Sequence, residues 1–272
     1  MMPRLLVVAA ALALASPAVL AADPPKKILL VGSPADDHPP GTHEYAAGME
    51  IVAKLLKPVR EAEVTVARAE GPWKDGPELI GRADCAVIFL TEGAKWVSAD
   101  PKRLAAFREV ARRGGGLVCL HWGMGTREAE PVAAFVELFG GCHGGPDRKY
   151  AVVETTVAVA EPKHPVAAGI KDFAIKDEFY YRLKFPKPDA AVKSVLQVTI
   201  DGNKETVAWA WERPDGGRSF GFTGLHFHDN WRRAEYRRVV AQGVLWAAKL
   251  PVPANGLPVD LADSDYQLPL RK

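Results

Sequence analysis

Gly114-Gly115-Gly116-Leu117-Val118-Cys119-Leu120-His121-Trp122-Gly123 joins three glycines to four apolar residues and stops the apolar run at a histidine. An apolar run bounded by glycines reads as a fully buried strand. The segment before it, Lys102 to Arg113, is apolar at Leu104, Ala105, Phe107, Val110 and Ala111 and ends in basic residues, which is helical spacing. The order is therefore helix, glycine turn, central parallel strand. His121 stands at the carboxyl end of that strand, the edge at which open α/β sheets bind ligands. A histidine bonded to nearby backbone at a strand end is the competing reading.

Working outward, Lys26 to Gly32 reads as a first strand entering a proline-rich loop, Ser33 to Glu44. A helix over about Glu44 to Leu56 follows, with Thr42 as its N-cap. Val64–Ala67 and Asp84–Leu90 read as two further strands, the latter ending in Thr91-Glu92-Gly93. Strands alternating with helices imply crossover units and a parallel sheet. The loops after the first, third and fourth strands then share one edge, which gathers His38, His43, Glu92 and His121. Each taken singly reads more readily as a solvated loop histidine or acid.

Downstream, Glu130 to Phe139 leads into a glycine-rich loop, and Val152 to Ala160 alternates β-branched residues as a strand does. His164, held extended by Pro165, reads as structural. Asp177-Glu178-Phe179-Tyr180-Tyr181-Arg182 puts Glu178, Tyr180 and Arg182 on one face if extended; an amphipathic edge strand is the rival reading. Ser194–Ile200 and Thr206–Trp211 read as an antiparallel pair joined at Asp201-Gly202-Asn203. In Arg218 to Trp231 a strand runs into His226-Phe227-His228. An extended His-x-His offers two nitrogen ligands to one metal. A helix over about Ala234 to Lys249 closes the chain's main body.

Met1-Met2-Pro3-Arg4, the uncharged run Leu5 to Ala22 and the Val19-Leu20-Ala21 end make a secretory signal peptide over 1–21. A membrane anchor is the rival, disfavoured by Ser16-Pro17, so an exported protein, periplasmic or extracellular, with no membrane attachment after cleavage is expected. The remainder suits one domain over 22–250 with a surface tail over 251–272. The 35 Lys and Arg against 33 Asp and Glu leave no basic stripe, so nucleic acid is excluded as a partner. Cys85, Cys119 and Cys142 are an odd count, which leaves at least one thiol free. Cys85 and Cys119 lie in apolar runs and read as core.

Five stretches together resemble the ThuA-like (trehalose-utilisation) family of the class I glutamine amidotransferase-like superfamily. They are His38-Pro39-Pro40-Gly41-Thr42-His43-Glu44-Tyr45, Gly116–His121, His164-Pro165-Val166, Asp177–Tyr181 and Gly221–Trp231, spread over about residues 26–249. The resemblance implies a flavodoxin-like three-layer α/β/α sandwich with a mostly parallel central sheet. In amidotransferases of this superfamily a nucleophilic cysteine stands at the turn after the central strand. Here His121 takes that place and Cys119 lies inside the strand, so glutaminase activity is rejected.

The resemblance implies carbohydrate metabolism, with small-molecule 3-keto disaccharides or glycosides as substrates. A keto group acidifies neighbouring C–H bonds, so a lyase, hydrolase or isomerase needs a base and an electrophile. His121, Glu178 and His226 are the catalytic candidates. Glu178 enters from the resemblance together with the Glu-x-Tyr-x-Arg face. His43, Trp122, Tyr180, Tyr181, Arg182 and Trp231 are candidates for sugar binding, and the aromatics among them serve equally as core. His43, His121, His226 and His228 are candidate ligands for a divalent metal such as zinc. A non-catalytic sugar-binding protein is the alternative.

Overall fold

The computed structural model describes residues 23–187 and 192–268, so the expected leader over 1–21 lies outside the described residues. In chain order the elements are β1 (Lys26–Gly32), α1 (Tyr45–Leu56), β2 (Ala62–Arg68), α2 (Gly76–Arg82), β3 (Cys85–Phe89), α3 (Gly93–Ala99) and α4 (Pro101–Arg112). Then come β4 (Gly116–Leu120), β5 (Gly125–Thr126), α5 (Val132–Phe139), β6 (His143–Gly144), β7 (Lys149–Val159) and β8 (Phe173–Tyr181). The last are β9 (Val192–Ile200), β10 (Asn203–Glu212), β11 (Arg218–Phe222) and α6 (Ala234–Ala247). Two seven-residue helices, α2 and α3, are too short to leave a periodic trace in the sequence.

Nine strands form one sheet in the order β2-β1-β3-β4-β11-β10-β9-β7-β8. From β2 to β11 every pairing is parallel. From β11 to β8 every pairing is antiparallel. The parallel core is thus as expected, and it continues into an antiparallel half. β3 and β4 are buried at every residue, as continuous apolar runs in a two-sided sheet must be. α1 and α6 pack together on one face, and α4 packs with α2, α3 and α5 on the other, which makes three layers.

Local chemistry explains the boundaries. Asp100 caps α4 by accepting from the Lys102 amide at 2.8 Å, with Pro101 at the first helical position. α5 ends at Gly140, whose φ of 75° suits a left-handed cap. Thr42 does not cap α1. Its hydroxyl turns back to the Pro39 carbonyl at 2.6 Å, and the residue forms an isolated bridge with Phe227. The His226-Phe227-His228 tripeptide is not a strand extension either. β11 ends at Phe222, and Leu225 at φ 86° turns the chain before His226.

β7 meets β9 only through Ala158 and Val159. The rest of β7 and all of β8 form a two-stranded ribbon, Lys149–Val157 against Phe173–Tyr181. The segment from Pro251, expected to be a surface tail, is mostly exposed and is stitched to α6 at a few points. It buries Leu257, Val259 and Tyr266, and its Val259 carbonyl accepts from Arg237 at 2.7 Å. No helix among the described residues is long and apolar enough to cross a membrane.

Candidate functional site

β1, β3, β4 and β11 are neighbours and parallel, so their carboxyl ends lie side by side. The loops that leave them carry Asp36 to His43, Thr91, His121 and Thr223 to His226. Backbone bonds tie two of these loops together: the His43 amide donates to the His226 carbonyl at 3.1 Å, and the His228 amide to Gly41 at 2.8 Å.

His121 is the first residue after β4 and adopts φ 43°. His43 and Glu92, on neighbouring loops, are also left-handed at φ 52° and 46°. Such conformations are uncommon for non-glycine residues and cluster where structure holds a functional geometry. The His121 ring is fully buried, and its Nδ1 lies 2.6 Å from the Thr223 carbonyl. A carbonyl only accepts, so Nδ1 carries the proton and Nε2 keeps its lone pair. The Tyr180 hydroxyl lies 3.1 Å from that nitrogen.

His43 is set the same way. Its Nδ1 donates to Asp36 Oδ2 at 2.8 Å, which turns Nε2 toward the other imidazoles. Asp36 Oδ2 also accepts the Tyr45 hydroxyl at 2.8 Å and the Thr91 hydroxyl at 3.2 Å. Its Oδ1 accepts from the His38 backbone amide at 3.1 Å and lies 2.7 Å from His38 Nδ1. Burial works against the Asp36 charge, but the His43 and Tyr45 hydrogen bonds outweigh it and hold the carboxyl well below the ordinary range.

Three imidazole nitrogens now converge. His43 Nε2 lies 3.0 Å from both His121 Nε2 and His226 Nδ1. Glu178 Oε1 is 3.8 Å from His121 Nε2 and 3.6 Å from His226 Nδ1. These four ligand atoms all lie within 4.8 Å of one another. Burial, then the charge of His43, pushes His121 well below the ordinary histidine range, and the same two causes bring His226 to about 4. Burial, then Asp177, raises Glu178 to about 7. Burial keeps Tyr180 a phenol.

The donor set fits a divalent ion. His43 Nε2 lies 3.0 Å from both His121 Nε2 and His226 Nδ1, and burial disfavours a proton on His121 and His226, which leaves their nitrogens able to ligate. A tetrahedral zinc with nitrogen ligands at about 2.0–2.1 Å spaces those nitrogens by about 3.3 Å. Asp36 on His43 and the Thr223 carbonyl on His121 are the outer partners that fix tautomer and orientation in histidine metal sites.

Asp177, beside Glu178 but on the opposite face of β8, holds the loop that carries His226. Fully buried, its carboxylate accepts from Leu225 N at 2.7 Å, Tyr236 Oη at 2.8 Å and Glu178 N at 2.9 Å. Burial raises its pKa to about 6 in spite of these donors.

The cluster opens into a cleft of about 140 Å³, lined by Trp122, Tyr180 and Glu178 together with His38, His43, Arg127, His143, Arg148 and Tyr150. His43, His121, His226, Glu178, Trp122 and Tyr180 are thus brought together as expected. Four candidates are not. His228 points away, its Nε2 3.1 Å from the Tyr266 carbonyl, because the turn at Leu225 ends the extended geometry that would have paired it with His226. Tyr181 falls on the face of β8 opposite Tyr180. Arg182, at φ 50°, breaks the alternation; it is exposed, with its guanidinium 5.9 Å from the Tyr181 ring. Trp231 is core, only 1% exposed.

Asp36, His143 and Arg148 were missed. Asp36 sits beside Asp37 in an irregular loop, and no spacing rule distinguishes the two. His143 follows Cys142 in a glycine-rich loop whose position depends on the two-residue pairing of β5 with β6. The thiols are outside the site. Cys85, Cys119 and Cys142 are free and buried, and burial raises all three.

A solved ThuA-like protein from Bacteroides uniformis superposes with a TM-score of 0.61 at 15% identity, covering 86% of this chain and 95% of that one. One from Parabacteroides merdae gives 0.59 at 15% identity, covering 90% and 100%. At such identities the likeness is one of fold. No curated protein sequence matches the chain. The family model described as ThuA, trehalose utilisation, matches residues 36–247, from the aspartate that orients His43 to the end of α6, and the chain belongs to that family.

Proposed function

We propose that the protein is an exported enzyme of carbohydrate metabolism that eliminates an alcohol from a 3-keto disaccharide or glycoside. The observation that carries the reading is the convergence of His43, His121, His226 and Glu178 within 4.8 Å at the buried end of an aromatic-walled cleft. The three imidazoles would hold a divalent ion, which supplies Lewis-acid polarisation of the sugar's carbonyl oxygen. Glu178, whose Oε1 lies 3.8 Å from His121 Nε2 and 3.6 Å from His226 Nδ1, is the carboxylate placed to act as base. It takes the proton from the carbon beside the keto group. The C–O bond on the next carbon breaks as the new C=C bond forms, and the Tyr180 hydroxyl protonates the departing alkoxide. Trp122 offers a ring face to the sugar, and the buried cluster keeps water from the carbonyl.

Glutamine hydrolysis has no support in this site. The turn that would carry a thiolate carries His121, and Cys119 is enclosed with its sulfur 3.9 Å from the Phe220 carbonyl. The test is to incubate purified protein with 3-keto and unoxidised disaccharides, with and without added zinc or manganese, and follow products. An unsaturated keto sugar plus free alcohol from the 3-keto substrate alone is expected. Tight binding with no product under any metal condition would make the protein a sugar-binding protein and end the enzyme reading.

A further inference from the structure

The same cleft reaches past the Tyr180 ring into a compartment lined by His143 and Arg148. His121 stacks on Tyr180 at 4.5 Å and 16°, and His143 stacks on it at 3.9 Å and 5°. Two imidazoles stacked that closely cannot share one face of a phenol, so Tyr180 divides the histidine cluster from His143. His143 is only 2% exposed, and its Nδ1 has no hydrogen-bond partner. Buried polar atoms are nearly always paired, so an unpaired one on a residue that lines the cleft is a candidate partner for a ligand's polar group.

Arg148 stands at the same compartment. It is half-buried, and the hydrogen bond it makes is a long one to the Gly145 carbonyl, 3.3 Å away in its own loop. No carboxylate pairs with it among the described residues. Most of its five donors are therefore unspent. Arg127, by contrast, is held by Glu92 at 3.0 Å and lies 5.5 Å from the Trp122 ring. Tyr150 sits directly across the ribbon from Tyr180 and leaves 58% of itself exposed at the mouth. Tyr150 can present a ring face to a pyranose, and the guanidinium of Arg148 matches a planar or tetrahedral oxyanion. Among the residues lining the cleft, Glu178 is the one carboxylate against two arginines.

We infer that this compartment binds the sugar ring next to the reacting one, and that this ring carries an oxyanion, a carboxylate or a phosphate, received by Arg148 and His143. The inference rests on the sugar reading above and narrows its substrate class to acidic glycosides. A uronate and a sugar phosphate present the same chemistry to Arg148, so both belong in the test.

Calorimetric titration of the purified full-length protein with cellobiose, cellobiouronic acid and cellobiose 6′-phosphate decides it. One or both anionic sugars should bind at least about tenfold more tightly than cellobiose, since a charge-assisted bond replaces a neutral one. Whichever binds better identifies the oxyanion. Arg148→Gln, at a partly exposed loop position, should abolish that preference, so that the three sugars bind alike. Equal affinities in the wild type, or a preference that survives Arg148→Gln, overturn this inference alone. If none of the three sugars binds, this inference is overturned, and the sugar reading is decided by the 3-keto substrates alone.

Discussion

Asp36 orients more of the site than any residue the sequence pattern singles out. One of its oxygens receives His43, Tyr45 and Thr91, all of them donors. An amide that keeps its oxygen toward these three donors turns its N–H groups toward the His38 backbone amide and loses the charge that faces His43. Asp36→Asn should therefore leave the fold intact but weaken metal retention by about 10–100-fold, as loss of an outer partner does. Chelator competition followed by elemental analysis reads this directly; wild-type retention in the variant would show that Asp36 does not set His43. Cys119 is the opposite case, a chemically reactive type made inert by position. Cys119→Ala should keep product formation within about tenfold while costing about 1–3 kcal/mol of stability in urea unfolding. At this scale the histidines after β1 and β4 were legible because strand ends fix them. Asp36 was not, since its role depends on which of two adjacent aspartates the loop turns inward.

Among the elements, the contact between α3 and the turn after β4 positions the cleft wall. A Cβ on Gly93 would fall 1.9 Å from the Gly123 carbonyl oxygen, so the helix start and the His121–Met124 turn touch through bare backbone. Gly93→Ala should cost about 3 kcal/mol, because neither backbone can yield without moving the other. It should also weaken sugar binding by shifting Trp122. Gly81, near the end of α2, is the control: a Cβ there meets nothing within 4 Å. Gly81→Ala should raise stability by up to about 1 kcal/mol through helix propensity. Thermal unfolding of the two variants side by side separates these outcomes. The β7–β8 ribbon teaches the complementary lesson. Its alternation correctly put Glu178 and Tyr180 on one face, but nothing local says that this face returns to the central strands.

For the whole molecule, acid sensitivity follows from buried histidines. His164 loses its proton at about 4 in the folded chain, because burial and then Lys193 disfavour the cation, while Arg218 acts the same way and Glu161 and Glu212 oppose it. The unfolded chain, with an ordinary histidine near 6.5, binds more protons below that pH. The stability His164 contributes is therefore complete above about 6.5 and drains away as pH falls toward 4. Asp177 and Glu178, raised to about 6 and 7, run the other way and gain stability as pH falls through their folded pKa values. Comparing His164→Asn with the wild type isolates the first effect. Between pH 7 and 4.5 the variant should lose about 2 kcal/mol less than the wild type in urea unfolding. Parallel curves for the two proteins would show that His164 titrates normally.

The sequence by itself determined the parallel half of the sheet and the edge at which His43, His121 and His226 meet. Apolar runs that alternate with amphipathic helices leave one way to connect right-handed crossovers, and the carboxyl ends of such strands must lie together. Only the tertiary structure decided that the ribbon folds over that edge and delivers Glu178 and Tyr180. The same holds for the turn at Leu225 that separates His228 from His226, and for the placing of His143 behind Tyr180. Those placements rest on contacts between segments far apart in the chain, such as Asp177 with Leu225 and Tyr236. Hydrophobic periodicity records which face of an element is buried, and it carries no term for which distant segment does the burying.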